Sequence, residues 1–214
     1  MERILYTHNT GSIFTIDHLC HLFSHLESPN NKVTHLVHNS DLIRIRRGLY
    51  VLGELYRNSL VSKEVLANLI YGPSYITADY ALMVHGLIPE RVFEITSVCL
   101  GKSRSFHTPF GWFHYRQTSA QNYSRGISLQ QSSQNFLLAT PERALIDKIQ
   151  GLRSFPIRSQ QAMATLLFDD LRIDKHKFQQ LDYAHMKELV QKIPSKKPLY
   201  CLKLLKKFKK REEG

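Results

Sequence analysis

The sequence predicts an α+β protein in which a small N-terminal unit of helices and a β-hairpin precedes a mixed α/β and helical region. Three observations support this. Apolar residues recur at helical spacing along much of the chain, two short strand-like runs (IRIR and LYVL) follow the first helices, and runs rich in β-branched residues occur in the middle. The 214 residues, 43% of them hydrophobic, are enough for two small domains with hydrophobic cores.

The N-terminal segment predicts three helices. MERILYTH (residues 1–8) is a short opening helix, and Thr15 is a suitable N-cap for a second helix over residues 14–27. The turn SPNN leads to a third helix over residues 31–43, for which Ser28 or Asn30 offers a cap. This third helix is expected to bury Val33, Leu36 and Val37 and to leave Lys32, Thr34, His35 and His38 exposed.

A basic β-hairpin is predicted to follow this helix. Alternation in IRIR directs Ile43 and Ile45 to the core and Arg44 and Arg46 to solvent. The two runs are separated by an arginine and by Gly48, which permits the positive φ of a tight turn.

Two helices joined by a turn and followed by a basic hairpin predict a winged helix-turn-helix, which we assign to residues 1–56. In helix-turn-helix proteins the second helix of the pair lies in the DNA major groove, and a neighbouring hairpin can contact phosphates. The predicted contacts with double-stranded DNA are Asn30, Asn31, Lys32, Thr34, His35, His38, Arg44, Arg46 and Arg47. Alternatively, the hairpin only closes a small domain and its arginines are ordinary surface residues.

Residues 57–214 are predicted to form a second domain, mixed α/β to about residue 150 and helical after it. In its mixed part FEITSVCL and WFHYRQTS have strand composition, Gly86 lies just past a helix end, and Pro141 stands at a helix start. Residues 151–214 carry 15 Lys or Arg against 7 Asp or Glu, whereas residues 1–53 carry 5 against 4. A formal charge of +11 favours a polyanionic partner, nucleic acid first, although lysines can also serve only to keep a surface solvated. The tail CLKLLKKFKK could dock on its own domain, contact a partner or DNA, or touch a membrane surface.

Three stretches, LIRIRRGLYVLG, SYITADYALMVHGLIPE and ATPERALIDKI, resemble in order and spacing the AbiEi family of antitoxins from type IV toxin–antitoxin operons linked to abortive phage infection. The resemblance covers roughly residues 14–150. It implies a winged helix-turn-helix that binds inverted repeats in its operator and represses its own operon, and a C-terminal part that neutralises a cognate nucleotidyltransferase-like toxin. It leaves open a stand-alone regulator or a protein-interaction module without a toxin.

No cofactor, metal site or catalytic site is predicted, so we expect a binding protein and not an enzyme. His18, His21 and His25 lie near one stripe of a helix, but no carboxylate or cysteine completes a set of metal ligands. The acidic residues around the middle motifs form no Mg²⁺-binding signature; they are Asp79, Glu90, Glu94, Glu142 and Asp147.

Three features predict a cytoplasmic protein without a membrane partner. No apolar run reaches the ~18 residues of a membrane span. The N-terminus lacks the apolar core of a signal peptide. The cysteines, Cys20, Cys99 and Cys201, are far apart and odd in number, which disfavours a disulfide framework.

Overall fold

The computed structural model describes residues 12–131, 134–152 and 157–210, so the predicted helix at residues 1–8 lies outside the described residues. The fold is α+β and contains a three-stranded and a six-stranded sheet. The three-stranded sheet belongs to the N-terminal unit, which is described from residue 12 to residue 56. Its elements in chain order are β1 (Ile13–Thr15), α1 (Ile16–Leu22), α2 (Pro29–His38), β2 (Leu42–Arg46) and β3 (Leu49–Leu52).

Both predicted helices in this unit form, with different bounds. Thr15 caps α1 as predicted, because its hydroxyl accepts a hydrogen bond from the backbone N–H of His18 at 3.3 Å. The prediction that α1 extends to residue 27 was wrong: the chain turns after Leu22, which places Phe23 in a small core. The second helix begins at Pro29, whose fixed φ suits a first helical position. Ser28 stands at its N-cap position without a capping side-chain hydrogen bond.

The small sheet has the order β1-β3-β2 with antiparallel pairs, and its central strand β3 is buried on both faces. One face covers a small core against α1 and α2, formed by Phe14, Leu19, Phe23, Val33, Leu36, Leu42, Tyr50 and Leu52. The other face places Ile45, Leu49 and Val51 in the large core of the six-stranded sheet. Ile43 and Ile45 therefore turn inward as predicted, but they face the large core. Side chains thus pack across the predicted domain boundary, which falls at the 3₁₀ turn Glu54–Tyr56.

The six-stranded sheet has the order β6-β7-β5-β4-β9-β8. Its strands are β4 (Ser74–Ile76), β5 (Ile95–Cys99), β6 (Arg104–Thr108), β7 (Gly111–Gln117), β8 (Ile127–Gln130) and β9 (Phe136–Ala139). The pairs β5–β7 and β4–β9 are parallel, and the other pairs are antiparallel. The sequence predicted β5 and β7 but not β4, which has three residues and is buried throughout, so it shows no polar alternation.

Four helices accompany this sheet: α3 (Lys63–Ile70), α4 (Ala78–Val84), α5 (Ala120–Tyr123) and α6 (Pro141–Gly151). The start of α6 confirms the prediction, since Pro141 is its first residue and the Thr140 hydroxyl accepts from the backbone N–H of Arg143 at 3.3 Å. Gly86 follows α4 with φ at +68°, as expected for a residue just past a helix end.

The last third is helical, as predicted. It contains α7 (Gln160–Ala164), a π-helical segment (Thr165–Asp170), α8 (Lys175–Gln180), α9 (Tyr183–Gln191) and α10 (Lys196–Lys210). Buried Cys201, Leu202, Leu204 and Leu205 dock α10 on the large core, while Lys203, Lys206, Lys207 and Lys210 are exposed. None of the helices in the described ranges is long and apolar enough to cross a membrane.

Candidate nucleic-acid interface

The solvent face of α2 is polar along its whole length. Val33 and Leu36 are buried against the small core. Because a helix has about 3.6 residues per turn, the residues opposite this pair share one outer face. Exposed on that face are Asn30, Asn31, Thr34, His35 and His38. Lys32 differs from the prediction because it lies at the edge of the buried face and is half-buried.

Side-chain hydrogen bonds organise the C-terminal end of this face. Asn39 follows the helix directly, and its amide nitrogen lies 3.3 Å from Nδ1 of His35. Its amide oxygen lies 3.5 Å from Nδ1 of His38, so one asparagine contacts both imidazole rings. Sequence reasoning treated Asn39 only as an interruption of the helix. The sequence did contain a signal for this contact: Asn39 lies four residues after His35, and residues four apart are neighbours on a helix surface.

The N-terminal end of the face has fewer free groups. The Oδ1 atom of Asn30 accepts from the thiol of Cys20 at 3.4 Å, which connects α2 to α1. The Thr34 hydroxyl donates to the backbone carbonyl of Asn30 at 3.0 Å. Asn31 is exposed and its side chain forms no hydrogen bond within the described part of the chain. Among the two asparagines, Asn31 therefore offers the more accessible amide.

The hairpin presents two exposed arginines next to α2. A two-residue turn, Arg47–Gly48, joins β2 to β3, and Gly48 has the predicted positive φ, +81°. The side chains of Arg44 and Arg47 are exposed and have no hydrogen bond or ion pair within residues 12–131, 134–152 and 157–210. Both guanidinium groups can therefore bind an external anion without first breaking an internal contact.

Arg46 occupies a different environment from the other two arginines. A register shift between Arg44 and Arg46 interrupts the regular alternation of β2. The two Nη atoms of Arg46 donate to the backbone carbonyls of Arg47 and Leu69, each at 3.2 Å. Since Leu69 lies in the last turn of α3, this guanidinium satisfies a free carbonyl at a helix end and connects the hairpin to α3.

The middle motifs form a buried polar network, away from this surface. The carboxylate of Asp147 accepts hydrogen bonds from the hydroxyls of Tyr75 at 3.1 Å and Thr77 at 2.8 Å, and from Nε of Arg143 at 3.0 Å. All four residues are buried. Burial and the nearby Asp147 charge raise the pKa of the Tyr75 hydroxyl well above its ordinary range. This network connects β4 to α6 and therefore stabilises the fold.

The remaining acidic and histidine residues are dispersed. Two acidic residues of the middle segment form separate ion pairs, Asp79 with Lys148 and Glu90 with Arg172, and the Glu94 carboxylate lies 3.1 Å from Nε2 of His114. The Glu142 carboxylate accepts from the backbone N–H of Asp182 at 2.9 Å. Within the described ranges, no three His, Cys, Asp or Glu side chains are grouped closely enough to hold a metal ion.

Comparison with known proteins adds information on the fold. No protein-family model matches the chain, and no curated protein matches it. The chain is similar in structure to the RV2827C protein from Mycobacterium tuberculosis, solved by crystallography, with a TM-score of 0.60. The match covers 95% of this chain and 74% of that chain at 10% sequence identity. At this identity the similarity indicates a shared fold and nothing about shared activity.

Proposed function

We propose that the chain is a DNA-binding transcriptional regulator whose N-terminal unit acts as a winged helix-turn-helix. The observation that carries the proposal is the exposed polar face of α2 beside two exposed hairpin arginines with no internal partner. In this arrangement α2 enters the major groove and presents Asn31 and His35 to base edges. Arg44 and Arg47 contact phosphates.

The topology of the unit supports this use. Helices α1 and α2 are joined by a short turn, and β2 and β3 follow α2 directly. The strand β1 pairs with β3, which fixes the hairpin to the helices and gives the arginines a defined position. The sparse charge of the unit limits the affinity that phosphate contacts can supply.

The resemblance to AbiEi antitoxins adds a proposed biological role. The chain would repress its own operon by binding inverted repeats in the operator, and residues 57–214 would neutralise a nucleotidyltransferase-like toxin encoded nearby. The protein encoded by the next open reading frame tests the proposed neutralisation of a toxin. That protein should arrest growth when expressed alone, and co-expression of this chain should restore growth.

The salt dependence of DNA binding tests the proposal that the N-terminal unit binds duplex DNA. The probe is a labelled duplex from upstream of the gene, compared with a scrambled duplex of equal length. Each phosphate contact releases about one counterion, so a double Arg44→Ala, Arg47→Ala variant should flatten the slope of log affinity against log salt by about 2. Replacing Lys206 and Lys207, two exposed lysines of α10, is the matched charge control. An unchanged slope and affinity in the arginine variant would show that the hairpin does not touch DNA.

A further inference from the structure

The outer surface of the β6–β7 hairpin carries an uncovered row of rings and one cation. Side chains alternate along a strand, so Trp112, His114 and Arg116 of β7 share one face, opposite the buried Phe113 and Tyr115. His107 joins this row because it pairs directly with Trp112 across the two strands. We call the surface of His107, Trp112, His114 and Arg116 the β6–β7 face.

The rings of this face are arranged as a stacking surface. The rings of Trp112 and His114 are parallel to within 3°, with centroids 5.9 Å apart. The His107 ring lies 4.6 Å from Trp112 at an angle of 38°. Trp112 is 43% exposed, so part of its ring is open to solvent. Aromatic rings standing on a sheet are a common means of stacking unpaired nucleic-acid bases.

Two hydrogen bonds fix the orientation of the His114 ring, and one of them is formed with the carboxylate of Glu94. Nε2 of His114 lies 3.1 Å from the carboxylate of Glu94, and Nδ1 lies 2.9 Å from the hydroxyl of Ser105. Because a carboxylate only accepts hydrogen bonds, Nε2 is the donor and Nδ1 accepts from Ser105. Glu94 is thus hydrogen-bonded to the ring row.

A polar cavity of about 460 Å³ continues the face beyond Arg116. It lies at the carboxyl ends of the parallel strands β5 and β7, where α/β sheets commonly bind ligands. Its hydroxyl and amide side chains come from Thr118, Ser119, Asn122 and Gln150. Its acidic residue, Asp147, is paired with Arg143, so the Arg116 guanidinium has no carboxylate partner in the lining.

The position of the Arg116 guanidinium is fixed by its neighbours. One Nη atom donates to the backbone carbonyl of Asp147 at 3.2 Å. The other Nη atom lies close to Gly151. A Cβ at position 151 would be only 2.0 Å from this Nη atom, so a glycine is needed there to leave space for the guanidinium. The Nε–H is buried and has no acceptor in the described part of the chain. The cation therefore has one hydrogen-bond donor that no described protein atom accepts.

We propose that the β6–β7 face and this cavity bind a short single-stranded nucleic acid, with bases stacked on Trp112 and His114 and a phosphate at Arg116. Trp112 and Arg116 are four positions apart along β7, about 13 Å at strand rise, which is a span of dinucleotide length. The formal charge of +11 favours a polyanion over a neutral or basic protein surface. This activity is separate from duplex binding by the N-terminal unit.

Trp112 is the single tryptophan among the 214 residues, so its fluorescence reports on this face alone. The probes are an eight-nucleotide oligo(dA) and an eight-base-pair duplex, each titrated into the full chain at equal salt. The single strand should quench the emission of Trp112 saturably, because a stacked base lies on its ring. The duplex should quench far less, since its bases are already stacked and paired.

Variants locate the binding through the anisotropy of a fluorescein-labelled oligo(dA). Trp112→Ala should weaken binding about 5–150-fold, and Trp112→Phe should retain most of it, because stacking tolerates any aromatic ring. Arg116→Gln should flatten the salt slope by about 0.7, the value for one phosphate of a single strand. Lys206→Ala, on exposed α10, is the charge control for Arg116→Gln, and circular dichroism verifies folding.

Three results would overturn the proposal. The first is that the oligonucleotide does not bind; a protein would then be the remaining candidate partner for this face. The oligonucleotide could bind with unchanged Trp112 emission and equal affinity for Trp112→Ala, which would place binding elsewhere on the basic surface. Equal quenching by single strand and duplex would show that the face does not select unpaired bases.

Discussion

The N-terminal unit and the middle of the chain use polar residues in opposite ways. On α2 and its hairpin, residues such as His35 and Arg47 are exposed and have local partners or none within the described residues. In the middle motifs, Asp147 and Arg143 are buried and have all their hydrogen bonds inside the fold. Buried charges need such partners, whereas exposed ones remain available to a ligand. The most distinctive motifs of the sequence therefore stabilise the structure, and the candidate interface lies in less distinctive residues.

The largest expected effect tests the structural role of the buried network. Asp147→Ala leaves Arg143 buried without its partner, so we expect a loss of about 3–5 kcal/mol in the free energy of unfolding. Asp79→Ala is the control, because it breaks a partly exposed ion pair with Lys148 at 2.7 Å, worth about 0–1 kcal/mol. Urea unfolding followed by Trp112 fluorescence measures both. If both variants lost the same free energy of unfolding, burial would not make the Arg143–Asp147 pair more important for stability than the Asp79–Lys148 pair.

The second effect tests how firmly the two regions are joined. Leu42 packs in the small core and Leu49 in the large one, and both side chains are buried. Replacing either by alanine should lower the free energy of unfolding by about 2–5 kcal/mol. Because β3 contributes to both cores, Leu42→Ala should shift the unfolding transition seen by Trp112, which lies in the large sheet. If only Leu49→Ala shifts that transition, the regions unfold independently.

A smaller effect is expected for base contacts by α2. His35→Ala or Asn31→Ala should reduce the preference for the operator over random duplex by about 1–3 kcal/mol, as for a good base contact. The control is His25→Ala, which removes an exposed imidazole from the turn between α1 and α2. Competition binding with operator and random duplexes measures the preference. Equal weakening on both duplexes would assign these residues to phosphate contacts.

The smallest effect distinguishes the arginines of the hairpin. Arg47→Ala should reduce the salt slope of duplex binding by about 1, because its guanidinium is free to contact a phosphate. Arg46→Ala should reduce it by less, because both Nη atoms already donate to backbone carbonyls. Arg46→Ala should instead lower thermal stability, since the Leu69 carbonyl loses its donor. A larger change in slope for Arg46 would show that DNA displaces its internal hydrogen bonds.

The sequence by itself determined the features that depend on neighbouring residues. Thr15 as a helix cap, Pro141 as a first helical residue and Gly48 at the hairpin turn follow from geometry within a few positions. The inward orientation of Ile43 and Ile45 follows in the same way, because alternation along a strand is local. These signals were sufficient to predict the α+β class and the order of α1, α2 and the hairpin, but not the strand β1.

Only the tertiary structure decided which residues meet across long separations. Tyr75 and Asp147 are 72 positions apart, and their hydrogen bond depends on β4 lying beside α6. Nothing near Arg46 in the sequence indicates that it bonds to Leu69, 23 positions away. The two-sided burial of β3 likewise requires the six-stranded sheet to be in place. Pairing of strands and packing of faces are set by the whole chain, so local periodicity cannot specify these contacts.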